Sequence, residues 1–317
     1  MAEPGKVPKA LSAGKSAPRK ALVPLAKISS KQKGSGKMGR GSFWTRTLLL
    51  VLLAVVLAAL VWLVFFRRIP PPRAVREDFA HKQTLAQHNQ AYAGLPKYSG
   101  RDSQPEILYN RAYIVGYSES RENPLWVAFR LDRPASAMQG KRPSKFLVDQ
   151  RTKSLVNPRD YNKCGFDRGH LAPSFGIGHC FGPEAQNETF LMSNISPQKP
   201  NLNRKAWERL ERQEDDYADS IGPIWVFAGP AFDDRRQTLN EGEEIPDFFY
   251  KILISEKGDQ IRFLPFLFPQ DVQGNEQLGK FLVSIDEIEK LTKLDFFWSL
   301  SDPNEDRLEA FKPTHTW

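Results

Sequence analysis

A histidine, an asparagine and a glutamate stand where their chemistries could combine. In Asp167-Arg168-Gly169-His170 the imidazole follows a glycine, which lets the backbone turn sharply or approach a ligand closely. Near pH 7 a neutral imidazole can take a proton from an attacking water. Downstream, Asn203-Arg204-Lys205-Ala206-Trp207-Glu208-Arg209-Leu210-Glu211 begins with an amide and ends with a carboxylate. The amide oxygen of Asn203 is a hard, neutral ligand of the kind Mg²⁺ accepts, and Mg²⁺ takes few protein ligands when phosphate oxygens and waters supply the rest. On a regular helix Asn203 and Glu211 would lie about 80° apart around the axis and roughly 12 Å apart along it. That spacing assigns Glu211 to the ion's hydration shell rather than to the ion itself. A base, a cation and an orienting acid are the parts needed to hydrolyse a phosphodiester.

Each residue also has a plainer reading. His170 would serve as a packed histidine, Asn203 as a helix cap and Glu211 as a solvated charge between Arg209 and Arg212. Trp207 and Leu210 follow Asn203 at the four- and seven-residue spacings of a core-facing stripe, so they are read as packing.

Three ordered blocks carry a resemblance: Asp167-Arg168-Gly169-His170-Leu171-Ala172-Pro173, then Ser193-Asn194-Ile195-Ser196-Pro197-Gln198, then Leu202-Asn203 with Trp207 and Glu211. Together they resemble the DNA/RNA non-specific endonuclease family, over roughly residues 105 to 311. The resemblance implies a central antiparallel sheet carrying a ββα-metal (His-Me finger) motif. It also implies cleavage of DNA and RNA to 5′-phosphate ends with Mg²⁺, or Mn²⁺ in its place, and pairing into a homodimer. Carried over residue by residue, it makes His170 the base, Asn203 the metal ligand and Glu211 the organiser of the ion's waters. Asn194 and Gln198 support the ion's waters or the loop. A looser match at Gly140-Lys141-Arg142-Pro143-Ser144 offers Arg142 to the scissile phosphate, where a guanidinium stays ionised and presents forked donors. Arg168 competes for that role, and Asp167 and Arg168 are otherwise assigned to shaping the site.

Five segments rich in β-branched and aromatic residues read as strands: Ile107 to Tyr117, Leu125 to Leu131, Ile224 to Ala228, Phe248 to Ile254 and Gln260 to Pro265. Asn203 to Asp219 reads as the main helix, giving an α+β domain over 95–317. Ahead of it, residues 1–46 form a basic leader without apolar periodicity, read as disordered. Leu48 to Phe66 is an uncharged apolar run of 19 residues, long enough for a transmembrane helix, placed at 47–66. A proline-stiffened linker follows at 67–94.

Charge is divided unevenly. The leader holds 11 Lys/Arg against Glu3 alone, and Arg67, Arg68, Arg73 and Arg76 follow the apolar run. By the positive-inside rule the N-terminus stays cytoplasmic and the domain is extracytoplasmic, periplasmic in a bacterium; a mitochondrial inner-membrane placement is the alternative. From Glu77 onward, 30 Lys/Arg face 36 Asp/Glu, so the net charge of +8 belongs to the leader. A uniformly basic nucleic-acid-binding surface is excluded, and phosphates must be held by a local patch. Cys164 and Cys180 bracket the histidine segment, as a disulfide or as two thiols, with a zinc site shared with His170 and His179 as a third arrangement.

Overall fold

The computed structural model describes residues 90–132, 142–233, 235–239, 242–258, 260–300 and 302–317. The leader, the expected membrane helix at 47–66 and the linker up to residue 89 lie outside the described residues. Among the described residues, no helix is long and apolar enough to cross a membrane.

In chain order the strands are β1 (Lys97–Tyr98), β2 (Glu106–Tyr109), β3 (Tyr113–Ser118), β4 (Asn123–Leu131), β5 (Asp167–His170), β6 (Ile195–Gln198), β7 (Ile224–Ala231), β8 (Phe248–Lys257), β9 (Gln260–Pro269) and β10 (Leu294–Asp295). Strands β2-β3-β4-β7-β8-β9 form an antiparallel sheet in that order, while β1 pairs with β10 and β5 with β6 in separate ribbons. Both faces of the large sheet are covered, as the period-two alternation of β4 shows. Val127, Phe129 and Leu131 enter one core with Trp207 and Leu210; Trp126 and Ala128 enter the other with Ile285, Ile288, Phe296 and Phe297.

Helices supply the covers. The long insertion between β4 and β7 carries α1 (Ser174–Phe181), α2 (Pro183–Glu188) and α3 (Glu208–Ile221). Leu210, Glu214, Tyr217 and Ala218 are buried on α3, a stripe at helical spacing that turns one face to the sheet. On the opposite face lie α4 (Ile285–Thr292) and α5 (Asp302–Glu309). At the start of α4, Ser284 accepts from the Glu287 amide while the Glu287 carboxylate accepts from the Ser284 amide, a reciprocal cap.

Two expectations change. Ile107 to Tyr117, read as one strand, is the hairpin β2–β3, reversed at Asn110, whose N–H donates to Tyr113 O at 2.9 Å. Apolar residues continue on both sides of the reversal, so periodicity alone does not register it, whereas asparagine is a residue that turns favour. The main helix is not regular from Asn203: Leu202–Trp207 is a π-helical turn, and α-helical geometry begins at Glu208.

Candidate active site

The short ribbon places the histidine. Strands β5 and β6 pair Asp167 with Gln198, Gly169 with Ser196 and His170 with Ile195. A Cβ on Gly169 would lie 2.2 Å from Gln198 Oε1 and 2.4 Å from its Cδ, so the glycine makes room for the Gln198 side chain across it. His170 then ends the strand. Its carbonyl accepts the indole N–H of Trp207 at 3.0 Å, which ties strand to helix, and its ring lies against Phe146 and Phe190 at centroid distances of 5.3 and 4.9 Å.

The loop after His170 is held by Asn194. That buried side chain accepts from Ala172 N at 2.9 Å and donates to Ala172 O and Thr189 O at 3.1 and 2.9 Å. Of the two supporting roles expected of it, these contacts match the loop. Gln198 differs, for both its amide atoms are buried without a partner.

Across from the ribbon, the π turn presents Asn203. Its Nδ2 donates to Asp167 Oδ2 at 3.0 Å, leaving the amide oxygen for a ligand. Asp167 also receives Arg204 through Nε at 2.7 Å and Nη2 at 2.5 Å. Burial pushes the Asp167 carboxyl up, but these donors outweigh it and hold the group below the usual carboxylate range. The helix-cap reading of Asn203 fails, because no side-chain hydrogen bond caps this helix and the N-cap residue is Asn201.

The helix wall is acidic. Glu211 and Asp215, one turn apart, both line the cleft. Glu211 Oε1 is buried without a hydrogen-bond partner, 3.9 Å from Lys251 Nζ. Burial above all pushes Glu211 up to about 7; Lys251 opposes this and the carboxylates of Glu214 and Asp215 reinforce it. Asp215 is likewise pushed up to about 7, by burial and then by Glu214. Behind them the Glu214 carboxylate accepts from Lys251 at 2.5 Å, both side chains fully buried and the ammonium 4.5 Å above the Trp207 ring. One lysine thus serves three neighbouring acids.

The same cleft, about 790 Å³, is lined by His170, Asn203, Glu211 and Asp215 together with Arg142, Arg168, Arg204 and Arg212. The two candidates for the phosphate are held differently. Arg168 donates to Pro158 O at 2.9 Å and to Asn162 Oδ1 at 3.1 Å and rests on the rings of Phe146 and Tyr161. Arg142 is exposed, its guanidinium 5.6 Å from the Phe190 ring. The His170 imidazole is pulled down to about 3, first by burial and then by Arg142, and its Nε2 is buried without a partner.

The cysteines take no part. Both are free thiols: Cys164 lies in the turn before β5, and Cys180 donates to Asp132 O at 3.0 Å. His179 packs on Phe175, and the zinc arrangement with His170 is not formed. Lys251, Glu214, Asp215 and Arg204 were not singled out from sequence. The Glu211/Asp215 spacing of four, and a lysine inside the apolar strand Phe248–Lys257, were the available signals.

Residues 95–302 match the family model described as DNA/RNA non-specific endonuclease. The chain belongs to the DNA/RNA non-specific endonuclease family. Among relatives, the mitochondrial endonuclease G of Homo sapiens is 30% identical over 218 residues, covering 64% of this chain and 72% of that protein. The nuclease of Serratia marcescens is 27% identical over 241 residues, covering 73% and 88%. The fold resembles the solved structure of the EndoG/EndoGI complex, with a TM-score of 0.59, 23% identity, and coverage of 68% of this chain and 92% of that one. Membership makes the protein a nuclease.

Proposed function

We propose that this protein is a membrane-anchored endonuclease that needs a divalent cation, Mg²⁺ first, and cuts DNA and RNA to 5′-phosphate ends. The observation that carries the reading is that His170, Asn203 and Glu211 line one cleft, with His170 Nε2 and Glu211 Oε1 buried and without hydrogen-bond partners. These residues fit a hard cation: an amide oxygen free of its own hydrogen bonding, an orphaned carboxylate oxygen, and acids in excess of their lysine. Asn203 would hold the ion and Glu211 would orient its hydration shell. When bound, the cation supplies Lewis acidity toward the phosphoryl and leaving oxygens.

The remaining work belongs to side chains. His170 stays neutral at pH 7, and its imidazole accepts the proton lost by the attacking water as the new P–O bond forms and the bond to the 3′ oxygen breaks. An entering phosphodiester anion offsets the charge of Arg142, which removes one of the two causes holding the imidazole down. Arg142 donates to the phosphoryl oxygens as charge builds there. Asp167 fixes the Asn203 amide, and Arg168, tied to Pro158, shapes the rim. The apolar run at 47–66 supports an anchor with the domain on the extracytoplasmic side.

The test uses the full chain on supercoiled plasmid and on RNA, with Mg²⁺ and with EDTA. Cleavage of both substrates should stop in EDTA. His170→Ala should be inactive yet folded, and Asn203→Ala should need a higher Mg²⁺ concentration. Undiminished cleavage in EDTA, or near-parental turnover by His170→Ala, would overturn the proposal.

A further inference from the structure

On the face of the sheet opposite the cleft, Asp286 and Glu289 of α4 meet Glu309 at the end of α5. One carboxylate oxygen from each lies within 4.8 Å of the others. Exposed acidic residues gather in this way without consequence, but Glu309 does not behave like one of them. It is only 7% exposed, and its Oε1 is buried with no hydrogen-bond partner. Backbone amides already supply what they can. Phe296 N–H donates to Glu289 Oε1 at 2.8 Å, and Phe297 N–H donates to the Glu309 carboxylate.

Two basic side chains nearby are committed elsewhere. Lys293 Nζ donates to Lys290 O, and Lys312 pairs with Glu287. Three carboxylates facing one another, one of them in the apolar layer around Phe296 and Phe297, demand a positive charge that the surrounding side chains do not provide.

We propose that Asp286, Glu289 and Glu309 form a second divalent-cation site that fastens α5 to α4. The donors are all carboxylate oxygens, which selects a hard ion and disfavours zinc or copper. Their irregular disposition, with the deepest ligand buried and Asp286 at the surface, suits Ca²⁺, which accepts uneven oxygen shells completed by water, better than Mg²⁺, which demands a near-ideal octahedron and dehydrates reluctantly.

The experiment counts ions. Full-length protein, stripped with EDTA, is dialysed to equilibrium against ⁴⁵Ca²⁺ alongside Glu309→Gln and Asp286→Asn, and thermal unfolding is followed as Ca²⁺ is added. The parent should bind one more Ca²⁺ than either variant and show a midpoint that climbs with Ca²⁺ by more than theirs. Nuclease activity should be unchanged in both variants, because the cluster lies across the sheet from His170. Asp286 is exposed, so its variant folds even if Glu309→Gln does not. Equal Ca²⁺ stoichiometry in parent and Asp286→Asn would overturn the site. So would Glu309→Gln being more stable than the parent at every Ca²⁺ concentration, which would assign the cluster to a shared proton.

Discussion

Lys251→Met removes the buried cation behind Glu211 and Asp215 while keeping side-chain volume, so the consequence is electrostatic. Lys251 Nζ lies 2.5 Å from Glu214 Oε1 and 3.9 Å from Glu211 Oε1. At 4 Å and an effective dielectric of 20, each such attraction is about 4 kcal/mol in gross terms, from which the desolvation of both ions must be subtracted. Taking away one member of a buried pair strands the other, at a typical cost of about 3–5 kcal/mol. Unfolding in urea at pH 8, followed by tryptophan fluorescence, should therefore show a loss in that range. Adding Glu214→Gln to Lys251→Met should recover most of it, because no stranded charge is left. The deficit should also shrink at pH 5, where Glu211 and Asp215, already pushed up to about 7, are protonated in both proteins. A loss below about 1 kcal/mol at pH 8, or a double variant no more stable than Lys251→Met, would refute the reasoning.

Gly169→Ala should be destabilised by about 1–3 kcal/mol in the same assay and lose plasmid cleavage, because the new methyl meets the Gln198 side chain and displaces the strand that carries His170. Gln198→Ala in the same chain, by opening the space, should restore part of both. His170, pulled down to about 3, stays neutral in the folded protein while the unfolded chain takes up its proton near pH 6.5. Stability is lost as pH falls through 6.5 and the loss saturates near 3; by pH 5 it amounts to about 2 kcal/mol. His170→Ala should therefore lose about that much less than the parent between pH 7 and pH 5, and parallel pH profiles for the two proteins would count against the buried neutral imidazole.

The site was legible where it is local. His170, Asn203 and Glu211 stand in short blocks whose residue types announce their chemistry, and the structure brings all three to one cleft. What escaped is what the fold assembles from a distance. Lys251 comes from β8 and meets α3 only because the sheet packs beneath the helix. Asp167 and Arg204 pair across the ribbon and the turn, 37 positions apart in the chain. Asn194 was read as supporting the ion's waters or the loop, but the atoms it holds, Ala172 N and O and Thr189 O, come from the fold alone. The sheet was legible in its central strands, where β-branched and aromatic residues cluster. The β2–β3 reversal was not, since apolar residues resume at Ala112 after only Asn110 and Arg111.

The π turn at Leu202–Trp207 amounts to surplus chain wound into a helix. It allows Asn203 to reach Asp167 while Trp207 still reaches the His170 carbonyl, two anchors that regular winding would set at a different phase. Deleting a residue between them would return the helix to regular geometry and should improve its local hydrogen bonding, yet it would pull one anchor out of register with the ribbon. The length of this segment therefore matters to the two anchors separately from its composition. Substitutions at Lys205, exposed within the turn, should be tolerated in a mutational scan, whereas single-codon deletions between Asn203 and Trp207 should be absent from every active clone.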